Sequence, residues 1–296
     1  MKQDLELKIK QRLSNNEGHH HLSPSSLNIP LAKFFINYLM FNQEERRKQI
    51  AGFKAHYGNC ANSPTQRFLC KYIFEGGKKF TPKKKTLDEH IQDEFELVDQ
   101  YPAKNEKDLE CRKEMKQYIK PTADQIVLAV KELLGDKEIV AERYVHTNED
   151  GLIFDLLGRI DFETDDTIIE LKTKPINFRV TKKGLSATKQ KLPEEQGDEA
   201  HLKQLAFYYK ATGKTPYLVY ANHEEYKIFK PEIPELEYYY QQMINKAFII
   251  QNILEITEAN MNKITQLVEP PDLIKSFYYF DLTSEQLEKV KEAWRL

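Results

Sequence analysis

The sequence of 296 residues has little cysteine, no excess of positive charge and no long apolar run, and each shortage excludes a class of protein. Its three cysteines, Cys60, Cys70 and Cys111, are odd in number and lack Cys-x-x-Cys spacing, so we expect neither a disulfide framework nor a zinc site. No apolar run approaches the roughly 18 residues of a membrane span, and the first four residues begin no signal peptide, so we expect a soluble intracellular protein. The net charge of -2 excludes a globally basic nucleic-acid binder, and any attraction to phosphate must come from local basic patches.

A complete nucleotide-binding loop is also missing. Gly213-Lys214-Thr215 matches the end of a P-loop, but Tyr208 stands where its first glycine is required. The segment also ends a predicted helix, whereas a P-loop begins one. We therefore expect no nucleotide cofactor.

The residues with the clearest chemistry lie between Gly158 and Lys172. The pattern predicts a strand over 152–162, a polar turn over 163–167 and a second strand beginning at Ile168. Alternate residues of a strand share a face, so Glu170 and Lys172 project from the same side while Leu171 points into the core. The hairpin can bring Asp161 alongside them.

Two carboxylates beside one lysine form a site for a hard divalent cation. Oxygen ligands suit Mg²⁺ or Mn²⁺, and the backbone carbonyl of Leu171 can serve beside Asp161 and Glu170. The ammonium of Lys172 could then orient a metal-bound water or stabilise charge on a phosphate. This chemistry cleaves phosphodiesters; the alternative is that the charges only solvate the end of a hairpin.

A helix predicted over 195–211, ending at Gly213, supplies two further candidates. Gln204 and Tyr208 are four residues apart and therefore lie on one face of that helix. The alternative for this pair is a buried helix face whose polar groups are merely satisfied.

Three short motifs follow one another along the chain: Gly-x-x-Asp ending at Asp161, Glu-x-Lys at 170–172 and Gln-x-x-x-Tyr at 204–208. In this order they resemble the RecB-like branch of the PD-(D/E)XK nucleases. The likeness covers roughly residues 20 to 230 and is greatest to single-domain phage exonucleases and the mitochondrial genome maintenance exonuclease. It implies an α/β fold: a restriction-endonuclease-like core with a central mixed sheet flanked by helices, plus a helical amino-terminal cap. It also implies Asp161 and Glu170 as metal ligands, Lys172 as the catalytic lysine, and Gln204 and Tyr208 as supports for the lysine or the scissile strand.

Two departures from the family bear on cofactors. The family commonly carries a metal-binding histidine in Gly-x-x-x-His, but after Gly58 the matching position is Asn62, whose amide oxygen is a weaker ligand. Asn62 is thus a further candidate metal ligand, with His56 as a fallback that more plausibly lies in the core or on the surface. Members with an iron-sulfur cluster need four cysteines, so we expect Mg²⁺ or Mn²⁺ and no cluster.

Two basic segments are candidates for contact with DNA. One is a predicted flexible loop over 76–85, and the other is a predicted mobile loop over 172–191 that contains no acid. Each could instead be an ordinary solvated surface. Phe178, in the second loop, could stack on a base. The candidate DNA-binding residues are Lys78, Lys79, Lys83, Lys84, Lys174, Arg179, Lys182 and Lys183.

The predicted organisation is a flexible segment 1–22, containing His19 to His21, followed by a single nuclease domain over 23–296. Within that domain we expect a mainly helical part, a catalytic α/β core and carboxy-terminal helices. The predicted parts are 23–135, 136–232 and 233–296. Smaller expectations are a helix start at Ser23-Pro24, helices over 86–134 that break near Pro102 and Pro121, a strand over 140–145, strands over 215–221 and 225–230, and helices over 235–262 and 284–296. Glu142 is expected at the edge of its strand, and the alternative is that it approaches the metals.

The resemblance and the residues together favour a metal-dependent DNA exonuclease that acts at free strand ends. The alternatives are a structure-specific endonuclease on the same fold and a weakly catalytic DNA-binding module, which the asparagine at 62 favours. We expect DNA as the partner and no membrane. A homo-oligomer or a replication or recombination partner is conceivable, in the cytoplasm of a bacterial host if the protein is phage-encoded.

Overall fold

The fold is α/β and is built on a central mixed sheet. The structure is a computed structural model that describes residues 2–13, 21–47, 51–182, 184–273 and 282–296. By its internal contacts the chain divides into two compact units, one of residues 1–50, 146–157 and 240–296, the other of residues 51–145 and 158–239. The division predicted from the sequence, 1–22 and 23–296, stays a prediction.

The described strands are numbered in chain order and form three sheets. The central sheet has seven strands among the described residues, in the order β12-β11-β8-β7-β4-β2-β3, with β8 parallel to β11 and β2 parallel to β4. A second sheet has the order β1-β6-β5, and β9 pairs only with β10 in the described chain. The bounds are β1 His21–Leu22, β2 Tyr72–Glu75, β3 Lys78–Phe80, β4 Val140–Ala141, β5 Arg143–Thr147, β6 Asp155–Ile160, β7 Phe162–Glu163, β8 Thr167–Thr173, β9 Asn177–Thr181, β10 Gly184–Thr188, β11 Thr215–Ala221 and β12 Tyr226–Phe229.

The described helices are α1 Lys2–Leu13, α2 Pro24–Asn28, α3 Leu31–Phe35 continuing into a π-helical turn Ile36–Met40, α4 Gln43–Arg47, α5 Phe53–Leu69, α6 Leu87–Val98, α7 Glu106–Leu134, α8 Glu199–Thr212, α9 Ile233–Thr257, α10 Met261–Leu267 and α11 Ser284–Trp294. The predicted start at Ser23-Pro24 is correct, because Ser23 caps α2 with a capping box and Pro24 occupies its first turn. None of the described helices combines the length and apolarity of a membrane span.

The two faces of the central sheet carry different helices. Ile169 and Leu171 of β8, with Val219 and Ala221 of β11, are buried in a core with residues of α5 and α7. Helix α8 packs against β8 and β11 as well. Because alternate strand residues point to opposite faces, Glu170 and Lys172 lie on the face opposite Leu171. The predicted α/β class, with a mixed sheet flanked by helices and a helical amino-terminal part, is confirmed.

Two predicted strands are each broken at an acidic residue. The strand expected over 140–145 divides at Glu142, which has a left-handed backbone with φ 61°. The strand expected over 152–162 divides at Asp161, and in both places the chain passes between the three-stranded and the seven-stranded sheet. The Glu142 amide donates to the Ile160 carbonyl at 2.8 Å, so the two breaks lie side by side.

Both predicted basic loops contain β-hairpins instead. Gly76 and Gly77, with φ of 55° and 78°, form the two-residue turn between β2 and β3. The segment expected to be a mobile loop over 172–191 is largely the antiparallel pair β9–β10, in which Thr181 pairs with Gly184. Helix α7 also runs through Pro121, where a break was expected, and the Thr122 hydroxyl donates to the Tyr118 carbonyl at 2.8 Å within that turn.

Candidate active site

Asp161 lies at the junction between β6 and β7, opposite the centre of β8. Its Oδ2 accepts a hydrogen bond from the Leu171 amide at 2.8 Å. In a regular β-ladder a backbone carbonyl of the neighbouring strand would accept this hydrogen bond. This bond closes the β7–β8 hairpin and places the Asp161 side chain next to Glu170. Burial raises the pKa of Asp161, while the nearby Lys172 charge opposes that rise.

Glu170 is fully buried, at 0% exposure. Burial and then the negative charge of Asp161 raise its pKa to about 8. Lys172 Nζ contacts Oε1 as an ion pair, yet neither oxygen of Glu170 accepts a hydrogen bond of ordinary geometry from the described residues. The site therefore contains two adjacent carboxyl groups with too little positive charge and too few donors around them.

Lys172 is held by a chain of hydrogen bonds from α8. Its Nζ donates to Gln204 Oε1 at 3.0 Å, Gln204 Nε2 donates to Tyr208 Oη at 2.8 Å, and Tyr208 donates to the Arg159 carbonyl at 2.7 Å. Burial lowers the pKa of Lys172, but Glu170 and Asp161 more than compensate and raise it, so the amine stays charged. The structure thus brings together Asp161, Glu170, Lys172, Gln204 and Tyr208, which the sequence had selected.

A glycine in β6 allows α8 to approach this closely. A Cβ at Gly158 would lie 2.6 Å from the rings of both Phe207 and Tyr208. Tyr208 is 1% exposed, and burial raises the pKa of its hydroxyl well above the usual value, so it remains a neutral donor. The glycine of the Gly-x-x-Asp motif therefore has a packing role.

Asn62 lies on α5, four residues from both Gly58 and Gln66, so the three share one helical face. A Cβ at Gly58 would be 3.4 Å from Thr173 Oγ1, and Gln66 Nε2 donates to the Asp161 carbonyl at 3.2 Å. That face of α5 therefore follows the strands that carry Asp161 and Thr173. Asn62 Oδ1 is buried and has no hydrogen-bond partner among the described residues.

Glu142, which the sequence places at a strand edge with an approach to the metals as the alternative, lies next to Asp161, because Gln66 donates to both residues. Gln66 donates to its Oε1 at 2.6 Å, and Arg159 contacts its Oε2 at 2.6 Å. Burial and then the charge of Asp161 raise its pKa. The sequence clue was an acid inside the strand predicted over 140–145, and nothing in the sequence predicts the left-handed backbone of Glu142.

The donor set suits a hard cation more than a soft one. No three His, Cys, Asp or Glu side chains of the described chain converge as a metal cluster. The available ligands are the carboxylates of Asp161 and Glu170 and neutral oxygens such as the Leu171 carbonyl and the Asn62 amide. Mg²⁺ commonly uses one or two carboxylates and completes its shell with water and substrate, so these residues fit such an ion.

The candidate DNA-binding residues occupy three separate places. Lys174 donates to Asp198 Oδ2 at 2.9 Å, beside α8. Arg179 and Lys182 are exposed on the β9–β10 hairpin, while Lys183 lies outside the described residues. Lys78 and Lys79 lie on β3, and Lys83 and Lys84 line a surface cavity of about 590 Å³ together with Arg67, Lys71 and Lys85.

Three other side chains have structural roles. Phe178, considered for base stacking, packs against Phe53 and Tyr118 with ring centroids 5.5 and 6.4 Å away. His56, the fallback ligand, is 6% exposed and stacks on Tyr101. Lys214 of the incomplete P-loop contacts buried Glu163 and donates to the Thr164 carbonyl at 2.6 Å.

The site is thus an Asp-Glu-Lys set around the fully buried Glu170 on the central sheet, and the likeness of the chain to known proteins is distant. No family model matches the chain. No curated protein matches it either. A solved structure of a Eubacterium rectale protein, provisionally described as an exonuclease, is 12% identical, with a TM-score of 0.42 over 81% of this chain and 84% of that one. A second solved structure, whose name states no activity, is 13% identical, with a TM-score of 0.31 over 83% and 86% of the two chains.

Proposed function

We propose that the protein is a divalent-metal-dependent deoxyribonuclease of the RecB-like PD-(D/E)XK type, acting as an exonuclease at strand ends. One observation carries the proposal. Asp161, Glu170 and Lys172 converge in one buried site, and Gln204 and Tyr208 hold the lysine there. A lysine that only solvated a hairpin end would not need a fully buried glutamate and a hydrogen-bonded glutamine as partners.

Asp161, Glu170 and the Leu171 carbonyl would hold Mg²⁺ or Mn²⁺, with Asn62 as a further ligand. When bound, the ion supplies a water of lowered pKa and positive charge opposite the developing phosphate charge. Lys172, held at a fixed distance by Gln204, orients the attacking water toward phosphorus. Tyr208 keeps Gln204 from rotating, because its hydroxyl both accepts from the amide and donates to the Arg159 carbonyl.

The basic residues would bind the substrate backbone. The β9–β10 hairpin, with Arg179 and Lys182, follows the strand that carries Lys172, so a strand end entering the site would meet these charges. Lys183 is proposed as a further contact. The chain would thus work inside a cell on linear DNA, in recombination, repair, replication or DNA degradation. Lys78, Lys79, Lys83, Lys84 and Lys174 would extend the contact.

The test uses end-labelled linear single- and double-stranded DNA beside a covalently closed circle, with Mg²⁺, Mn²⁺ or chelator. Wild type is compared with Glu170→Ala and with Asp165→Asn, which changes an exposed acid in the turn of the same hairpin. Metal-dependent loss of linear DNA by wild type and Asp165→Asn, with the circle spared and Glu170→Ala inert, supports an exonuclease. An opened circle would indicate the endonuclease, and retarded but uncut DNA a binding module.

A second variant separates metal binding from chemistry. Lys172→Ala should abolish cleavage yet bind Mn²⁺ in calorimetric titration, because the lysine is not a ligand in the proposed site. Lost Mn²⁺ binding in this variant, with a native circular dichroism spectrum, would contradict the role given to Lys172.

A further inference from the structure

His201 belongs to a hydrogen-bonded chain at the start of α8 that the proposed chemistry does not use. It precedes Gln204 by three residues and so lies on the same side of the helix. Its Nδ1 is 2.7 Å from Tyr220 Oη, and the Asp198 amide donates to that same oxygen at 2.9 Å. Tyr220 pairs directly with Lys172 in the β8–β11 register, which places the chain beside the candidate active site.

This arrangement fixes which nitrogen of His201 carries the proton. Because the Asp198 amide already donates to Tyr220 Oη, the hydroxyl hydrogen is free to be donated to Nδ1. The alternative, a proton on Nδ1, would leave the hydroxyl hydrogen of a fully buried tyrosine without an acceptor. Asp198 Oδ2 is a poorer partner for Nδ1, since it is 3.4 Å away and already accepts from Lys174. The imidazole therefore has an acceptor at Nδ1 and a donor at Nε2.

The ring is also neutral and partly accessible. Burial, and then the charge of Lys172, lowers the pKa of His201 to about 4, although Asp198 opposes the shift. The side chain is 24% exposed, and none of the described residues accepts a hydrogen bond from Nε2. A purely structural Tyr-His pair would not need to keep an unused donor on a partly exposed ring near Lys172 and Lys174.

We infer that His201 donates Nε2–H to a non-bridging oxygen of a phosphodiester next to the scissile one, with Lys174 supplying the neighbouring positive charge. The inference rests on the proposed nuclease function and names how that site holds its substrate. Nε2 carries a proton, so the imidazole in this form is not a metal ligand. A neutral donor near the charges of Lys172 and Lys174 suits an anionic oxygen, and phosphates are the anions that a nucleic-acid strand presents beside its cleaved bond.

The experiment is a thermodynamic cycle that combines the replacement of one side chain with the neutralisation of one phosphate. Single-stranded oligonucleotides carry one neutral methylphosphonate, placed in turn at each phosphate near the end that is cut. Cleavage kcat/KM is measured for wild type, His201→Ala, His201→Gln and Tyr220→Phe, with His146→Gln as an exposed-histidine control. A charge-assisted hydrogen bond corresponds to a loss of about 10- to 100-fold.

We expect His201→Ala and Tyr220→Phe to lose about 10-fold or more on normal DNA, with partial recovery in His201→Gln because glutamine retains an N–H donor. At one position the methylphosphonate should strongly lower the kcat/KM of wild type and of His146→Gln. It should not lower the kcat/KM of His201→Ala below the value on normal DNA. Additive losses at every position would overturn the inference while leaving the nuclease intact.

If wild type cuts no DNA, the proposed function fails, and the same cycle is measured as binding by fluorescence anisotropy in chelator. A non-additive position in binding would keep His201 as a phosphate contact without catalysis. Additive binding losses at every position would remove the phosphate contact as well.

Discussion

Glu170 provides the sharpest test of the site that does not depend on activity. Its pKa rises from 4.5 to about 8 in the folded protein because the side chain is buried beside Asp161. Below pH 4.5 both the folded and unfolded states hold the proton, so Glu170 contributes nothing to the pH dependence of stability. Between pH 4.5 and about 8 only the folded state holds it, so the free energy of unfolding falls as pH rises.

The magnitude follows from the shift. From pH 4.5 to pH 7 the difference is about 2.5 pH units at about 1.4 kcal/mol each, so metal-free protein should lose up to about 3 kcal/mol at neutral pH. Glu170→Gln cannot ionise and should lack this loss. In chelator, Glu170→Gln should therefore match wild type near pH 5 and exceed it in stability at pH 7 to 8.

The assay is urea denaturation followed by circular dichroism at pH 5, 6, 7 and 8 in chelator, with and without a subsequent excess of Mg²⁺. The difference between wild type and Glu170→Gln cancels the titration of groups that do not interact with Glu170, and Asp165→Asn controls for removal of one acid. Mg²⁺ should stabilise wild type but not Glu170→Gln. A Glu170→Gln protein that is less stable than wild type at pH 8 in chelator would refute the reasoning, because it would mean that the ionised carboxylate is well compensated.

Three further predictions concern the surroundings of the site. Gly158→Ala should cost about 1 to 3 kcal/mol in urea denaturation and reduce cleavage, because the added methyl would force the aromatic rings of α8 away; unchanged stability would show that α8 yields freely. Lys214→Met should cost about 2 kcal/mol by leaving buried Glu163 one cation short, yet retain kcat at a temperature where the variant is folded; a large loss of kcat would assign Lys214 a role in catalysis. Replacing Arg179 and Lys182 together by alanine should reduce the slope of log Kd for DNA against log salt by up to about two, and an unchanged slope would remove the hairpin from the interface.

The central residues were predictable from the sequence because they obey two short-range periodicities. The alternation of a strand places Glu170 and Lys172 on one face, and the helical spacing of four places Gln204 and Tyr208 together. The structure joins these two pairs through the Lys172–Gln204 hydrogen bond. Local patterns therefore identified each half of the network, and the order of motifs along the chain indicated that the halves meet.

The errors arose where distant parts of the chain decide the local conformation. No residue near Glu142 in the sequence predicts its left-handed backbone, because that conformation accompanies a hydrogen bond from its amide to the carbonyl of Ile160, which is distant in the sequence. Gly76-Gly77 is itself a signal for a two-residue hairpin turn, although the neighbouring lysines make the segment resemble a flexible basic loop. His201 was missed because its meaning depends on Tyr220, a partner from the adjacent strand that sequence spacing cannot supply.

The charge balance of the site explains why the groups that hold Lys172 from α8 are neutral. Burial and Asp161 raise the pKa of Glu170 to about 8, so at neutral pH the metal-free cluster carries less negative charge than two ionised carboxylates would. A second strong cation fixed nearby would bind that charge permanently and compete with an incoming metal ion or phosphate. Gln204 and Tyr208 hold the ammonium in place without changing the net charge, and a neutral His201 provides a donor on the same terms. Hydrogen bonds therefore hold Lys172 in position, and a bound cation would supply the positive charge that the two carboxyl groups lack.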